Sequence, residues 1–188
     1  MDMIDTRIPD VKVLTPKRFG DHRGYFSETW NAARMADLGL VFDFVQDNES
    51  LSAEPGTLRG LHYQAPPFAQ TKLVRCATGA ILDVAVDARR GSPTYGQWAA
   101  ARISAEEGNQ ILVPRGFLHG FVTLVPQTQV IYKVDNLYDK ESDGGVDCFD
   151  PDLAIDWGIT RDEATLSGKD EDLPAFRDFV SPFEYGEF

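Results

Sequence analysis

With 188 residues, 43% of them apolar, the chain suits one domain spanning 1–188 around a sizeable core. Its net charge of −12 argues against nucleic acid, which demands a basic footprint, but leaves room for a small anionic ligand where a few cations converge. The only two cysteines, Cys76 and Cys148, lack CxxC spacing, and no run nears the roughly 20 apolar residues of a membrane span.

These features, with no basic-then-apolar leader in "MDMIDTRIPD", predict a soluble protein of a reducing cytoplasm. In chain order, strands are predicted at "VKVLTPKRF", "GYFSETW", "FDFVQDNES", "GTLRGLHYQ", "TKLVRCATG", "AILDVAVDAR", "GQWAAARIS", "NQILVPRGF", "LHGFVTLV" and "TQVIYKVDNLY". A short helix is read at residues 30–40, ending at Gly39, and a second helical piece near "DEATLSGKD" or "LPAFRDF". Short, closely spaced strands with Gly, Pro, Asn and Asp between them predict an antiparallel sandwich or barrel. No repeat or linker marks a domain boundary.

Alternation groups side chains by face. It joins Leu58, Gly60, His62 and Gln64; Lys72, Val74 and Cys76; Ile81, Asp83, Ala85 and Asp87; Val113, Arg115, Phe117, His119 and Phe121; and Val130, Tyr132 and Val134. If these faces line one interior, it holds His62, Lys72, Asp83, His119 and Tyr132. Taken singly, a strand histidine or tyrosine is more often a packing residue and a strand lysine a solvated one. Five ionisable groups in one interior are too many for a plain core, and ligand sites are where such groups collect. His22, in "GDHRG", is assigned to the surface.

A metal-binding cupin brings an HxH pair, a carboxylate and a further histidine. Here the matching places read His62-Tyr63-Gln64 and Leu118-His119-Gly120, in a chain with 3 histidines. A metal is therefore not expected, and a metal-free histidine points to proton transfer.

The stretches "FGDHRGYFSETW", "FVQDNES", "LRGLHYQ", "KLVRCATGAILDVAVDAR", "VPRGFLHGF", "YKVDNLYD" and "LSGKD" resemble the dTDP-4-dehydrorhamnose 3,5-epimerase family, in the family's order over nearly the whole chain. The resemblance implies an all-β, cupin-like jelly roll (double-stranded β-helix) with short peripheral helices, a homodimer without cofactor or metal, and a dTDP-4-keto-6-deoxy sugar as substrate. It makes His62 the general base, Asp170 its partner, Tyr132 the proton donor and Lys72 the group near the enolate oxygen. Arg23, Glu28, Gln46, Asn48, Arg59, His119 and Lys169 match ligand contacts. Asp143 stands where the family carries a longer glutamate, and "QAPPFAQTK" is unusually proline-rich. A relative inverting one carbon and a non-catalytic nucleotide-sugar-binding jelly roll are the alternative readings. A metal-dependent cupin oxygenase is disfavoured by the missing ligand pair.

Arg59 and His62 are three residues apart, so an ideal strand sends them to opposite faces, yet the resemblance places both at the ligand. Gly60 is the expected site of a bulge that re-aims one of them.

Overall fold

Apolar alternation through the middle of the chain produces two facing antiparallel sheets. The computed structural model describes residues 1–188. Its strands are β1 (Asp2–Asp5), β2 (Lys12–Thr15), β3 (Arg18–Asp21), β4 (Gly24–Ser27), β5 (Gln46–Ser52), β6 (Leu58–Gln64), β7 (Lys72–Thr78), β8 (Ala80–Asp87) and β9 (Arg89–Arg90). They continue as β10 (Trp98–Ser104), β11 (Gln110–Val113), β12 (Phe117–Thr123), β13 (Thr128–Val134), β14 (Asp143–Gly145) and β15 (Phe183–Glu184). One sheet has six strands in the order β1-β2-β11-β7-β13-β5, the other five in the order β10-β8-β12-β6-β14. This is the jelly roll expected from the sequence.

Both sheets are covered on their outer faces, which gives three apolar layers. The central one packs Val74, Ile81, Ala85, Phe117, Phe121 and Val130 between the sheets. On the outside of the five-stranded sheet, Leu58, Leu61, Val84, Val86 and Leu118 meet Val146, Leu153, Trp157 and Phe183 of the C-terminal third. Outside the six-stranded sheet, Leu14, Leu73 and Leu112 are covered by Met35 of α1 (Ala32–Asp37) and by Phe42 and Phe44. Strand β8 therefore buries apolar side chains on both faces, with Ile81 and Ala85 inward on either side of Asp83 and Val84 and Val86 outward. Cys76 and Cys148 are free and buried in different layers, and burial pushes each thiol up to about 12.

Several boundaries differ from the sequence reading. "VKVLTPKRF" is split into β2 and β3 around Pro16, which has no N–H to offer a ladder. Residues 42–45 precede β5 without joining it, because Phe42 and Phe44 serve as cover for the outer layer. β1, β14 and β15 are strands that the sequence reading does not include, and β9 is separate from β8 where the reading runs one strand through Arg89. Asn31 caps α1 by accepting from the Arg34 N–H at 3.2 Å, and Gly39 follows it at φ +77°, as the predicted stop requires. The second helical piece is three separate turns: Arg161–Glu163, α2 (Gly168–Glu171) and Phe176–Asp178. No helix is long and apolar enough to cross a membrane.

The bulge is present. His119 pairs with His62 but Phe121 pairs with Arg59, so β6 spends one more residue than β12 over the same span. Gly60 holds φ +127°, and a Cβ there would lie 2.6 Å from Gly120 Cα and 2.7 Å from the His119 carbonyl oxygen. Only glycine fits. The extra residue turns Leu58 into the outer apolar layer beside Leu61, which corrects the grouping of Leu58 with His62, and leaves Arg59 and His62 on one side.

Candidate active site

A cavity of about 450 Å³ opens between the two sheets. The six-stranded sheet contributes Lys72 from β7 and Tyr132 from β13, the five-stranded sheet Arg59 and His62 from β6 and His119 from β12. The turn of α2 supplies the remaining wall with Ser167, Lys169 and Asp170. Ser167 caps this turn by accepting from the Asp170 N–H at 3.2 Å, which fixes the aspartate's backbone against β6.

His62 Nε2 lies 2.5 Å from Asp170 Oδ1, and the Asp170 side chain is only 4% exposed. Burial alone would raise the Asp170 carboxyl, but the hydrogen bonds from His62 and at Ser167 and the charge of Lys169 hold it below its ordinary value. It is thus an acceptor only, so His62 Nε2 carries the proton and Nδ1 the lone pair. A second dyad stands beside the first, since His119 is the cross-strand partner of His62. Its Nε2 is 2.9 Å from Asp83 Oδ2.

Lys72 and Tyr132 face this pair of imidazoles with shifted acidities of their own. Burial pulls the Lys72 ammonium down to about 8, with Asp83 and Asp143 pulling it back up and Lys169 opposing them. Burial, helped by Asp143 and opposed by Arg59, raises the Tyr132 phenol above its ordinary range, so it stays protonated and can donate. A base, a donor and a cation around one cavity are the parts required to remove a proton next to a carbonyl and return one elsewhere. No group of three or more His, Cys, Asp or Glu side chains converges as a metal site.

Seven of the site residues expected from the sequence line the cavity: His62, Tyr132, Asp170, Lys72, Arg59, His119 and Lys169. Five do not. Arg23 sits in the exposed β3–β4 hairpin and pairs with Asp21 at 2.5 Å. Glu28 pairs with Arg34 at 2.9 Å, and Gln46 donates to Asn48 at 2.8 Å on the outer strand β5. The carboxylate of Asp143 accepts from Lys169 Nζ at 2.5 Å and from the Tyr138 hydroxyl at 3.2 Å, so it holds two neighbours rather than facing the cavity. His22 is exposed, as expected. Sequence reasoning missed Glu49, Ser50 and Ser167 in the lining. The Ser-x-x-Asp spacing of "SGKD" was a legible helix-cap signal for Ser167, whereas edge-strand residues such as Ser50 give none.

The sequence pattern of the dTDP-4-dehydrorhamnose 3,5-epimerase family matches residues 5–178. The dTDP-4-dehydrorhamnose 3,5-epimerase of Sinorhizobium fredii is 50% identical over 182 residues, covering 95% of this chain and 91% of its own. The crystal structure of the Bacillus anthracis enzyme with TDP and PPi bound superposes with a TM-score of 0.89 at 50% identity, covering 93% of this chain and 98% of that one. The Legionella pneumophila enzyme in complex with dTDP-4-keto-L-rhamnose gives 0.92 at 40% identity, with 98% of each chain covered. The chain therefore belongs to the dTDP-4-dehydrorhamnose 3,5-epimerase family, whose members are isomerases acting on nucleotide-linked sugars.

Proposed function

We propose that this site inverts C3 and C5 of dTDP-4-dehydro-6-deoxy-D-glucose, giving dTDP-4-dehydro-L-rhamnose, with no cofactor or metal taking part. The observation that carries the reading is the His62–Asp170 dyad sharing one cavity with Tyr132 and Lys72. His62 Nδ1 takes the proton from a carbon next to the C4 ketone, and the ammonium of Lys72 stabilises the enolate oxygen that forms. Tyr132, on the other sheet, returns a proton to the opposite face of that carbon, which inverts it. Both carbons flank the same ketone, so one base, one cation and one donor serve twice, once His62 has released its proton to solvent and Tyr132 has regained one from it.

Arg59 and Lys169 are suited to the diphosphate, because each brings a cation to the cavity wall of an otherwise acidic chain. Arg23, Glu28, Gln46, Asn48 and Asp143 remain proposed ligand contacts that this chain's own cavity does not include. A homodimer offers a way to assemble them. It is supported by the open outer edges of β1 and β5 and by exposed Tyr25 and Phe26 in the hairpin that carries Arg23.

The test is incubation with dTDP-4-dehydro-6-deoxy-D-glucose in deuterated water, followed by proton NMR. Exchange with inversion at both carbons is expected; change at one carbon would make this a single-centre relative, and binding without exchange would leave only a nucleotide-sugar-binding protein. Sedimentation of the purified chain should give a dimer, and a monomer alone would reject that part.

A further inference from the structure

Asp83 has no exposed surface, and its carboxylate has one hydrogen-bonding neighbour: His119 Nε2, 3.0 Å from Oδ1 and 2.9 Å from Oδ2. Asp170 likewise meets one imidazole and has the charge of Lys169 nearby, whereas two other buried aspartates are held by several donors. Asp87 accepts from Arg89, Ser92 and Thr94, and Asp150 from the backbone N–H groups of Asp152, Leu153 and Phe176. A buried carboxylate with a single imidazole is poorly compensated unless a cation stands close by.

The cavity provides one. Lys12, Lys133 and Lys169 pair with Asp5, Asp47 and Asp143, but Lys72 has no such carboxylate partner and projects from β7 toward the five-stranded sheet. The register β8–β12 sets Asp83 opposite Phe121 and His119 opposite Ala85, so Asp83 and His119 are diagonal neighbours on the inner face. The imidazole lines the cavity with Lys72, and the carboxylate stands behind it. Carboxylate and imidazole thus come from one sheet and the ammonium from the other.

We propose that Asp83 is a positioning residue for the epimerisation: held behind His119, its charge keeps Lys72 protonated and aimed at the C4 oxygen of the bound sugar. This rests on the reading of Lys72 as the cation beside the enolate. Among the charges acting on Lys72, Asp83 is the strongest upward pull, Asp143 adds to it and Lys169 opposes it. His62 with Asp170, Tyr132, Arg59 and Glu49 complete the ionisable lining of the cavity. Removing the Asp83 charge leaves burial to dominate, so the Lys72 ammonium loses its proton at lower pH.

The test is Asp83→Asn, which keeps the shape and an oxygen that accepts from His119. Lys72 is titrated by NMR of the lysine side-chain carbons, and the pH profile of turnover is measured beside it. The lysine midpoint should fall by about one unit, and kcat by about twofold near pH 7 and about tenfold above pH 9, with KM nearly unchanged. An unmoved lysine midpoint in folded Asp83→Asn would overturn the proposal. A moved midpoint with an unchanged rate profile would uphold the Asp83–Lys72 coupling and reject instead the catalytic role given to Lys72. Should Asp83→Asn fail to fold, Lys72 is titrated instead in Asp83→Ser, which is smaller and also lacks the charge, and an unmoved lysine midpoint there would equally overturn the proposal.

Discussion

His62 and Asp170, 108 residues apart in the chain, share a hydrogen bond of 2.5 Å at the wall of the cavity. On the proposed mechanism the two residues act as one base, because the carboxylate fixes which imidazole nitrogen keeps its lone pair. His62→Ala should lower kcat by about 10²- to 10⁴-fold. Asp170→Asn should lower it by about 10²-fold or more with little change in KM, because an amide can donate to Nε2 and turn the tautomer over. Turnover within a factor of two of the parent in either variant would remove that residue from the mechanism.

Tyr132→Phe separates abstraction from inversion. His62 can still take a proton, exchange it with solvent and return it to the same face. In deuterated water the substrate should therefore lose its proton signals without becoming the L-sugar. Full inversion by this variant would assign the donor elsewhere.

The pH dependence of rate and of stability should run in opposite directions above neutrality. Lys72 sits at about 8 in the folded chain against an ordinary 10.5, so between these values the unfolded chain binds the extra proton. Folding stability from this group accordingly rises as pH climbs from 8 to 10.5. On the proposed role of Lys72, activity should fall over the same window as the ammonium is lost. Urea unfolding of the parent and of Lys72→Met should show the gap between them closing across it, while kcat of the parent drops. A gap that does not change with pH would contradict the shift.

Gly60→Ala should destabilise the fold by about 3 kcal/mol, since it combines a left-handed backbone with a clash against Gly120. That corresponds to a melting temperature lower by roughly 6–12 °C. Arg59 and His62 would also lose their common direction, so kcat/KM should fall further than the unfolded fraction explains. A stable, fully active variant would show that the bulge is dispensable.

Alternation alone exposed much of the site. His62, Lys72, His119 and Tyr132 occupy inward positions of long, regular strands, where a period of two is a reliable guide. Arg59 was legible only with the bulge, because one inserted residue reverses the rule for everything before it. Asp170 has no periodic signal at all: it lies on a helical turn of four residues, and only resemblance pointed to it. The pairing of Asp83 with His119 depends on which strands are neighbours, and a single strand's pattern does not carry that. The outer cover was equally hidden, since Val146, Leu153 and Trp157 fall at irregular spacing in loops and Phe183 in a strand of two residues.

The origin of Asp170 in the C-terminal cover has a consequence for the order in which the protein is made. A nascent chain that has emerged as far as β14 already holds every strand of the two main sheets, and with them His62, Lys72, His119 and Tyr132. It lacks the residue that orients the imidazole, and it lacks the apolar segment that shields the back of the five-stranded sheet. Burying that sheet and arming the histidine are accomplished by the same late stretch of polypeptide. On the proposed mechanism a truncated or half-translated chain would be impaired in chemistry while also leaving an apolar sheet face uncovered, because one segment completes both.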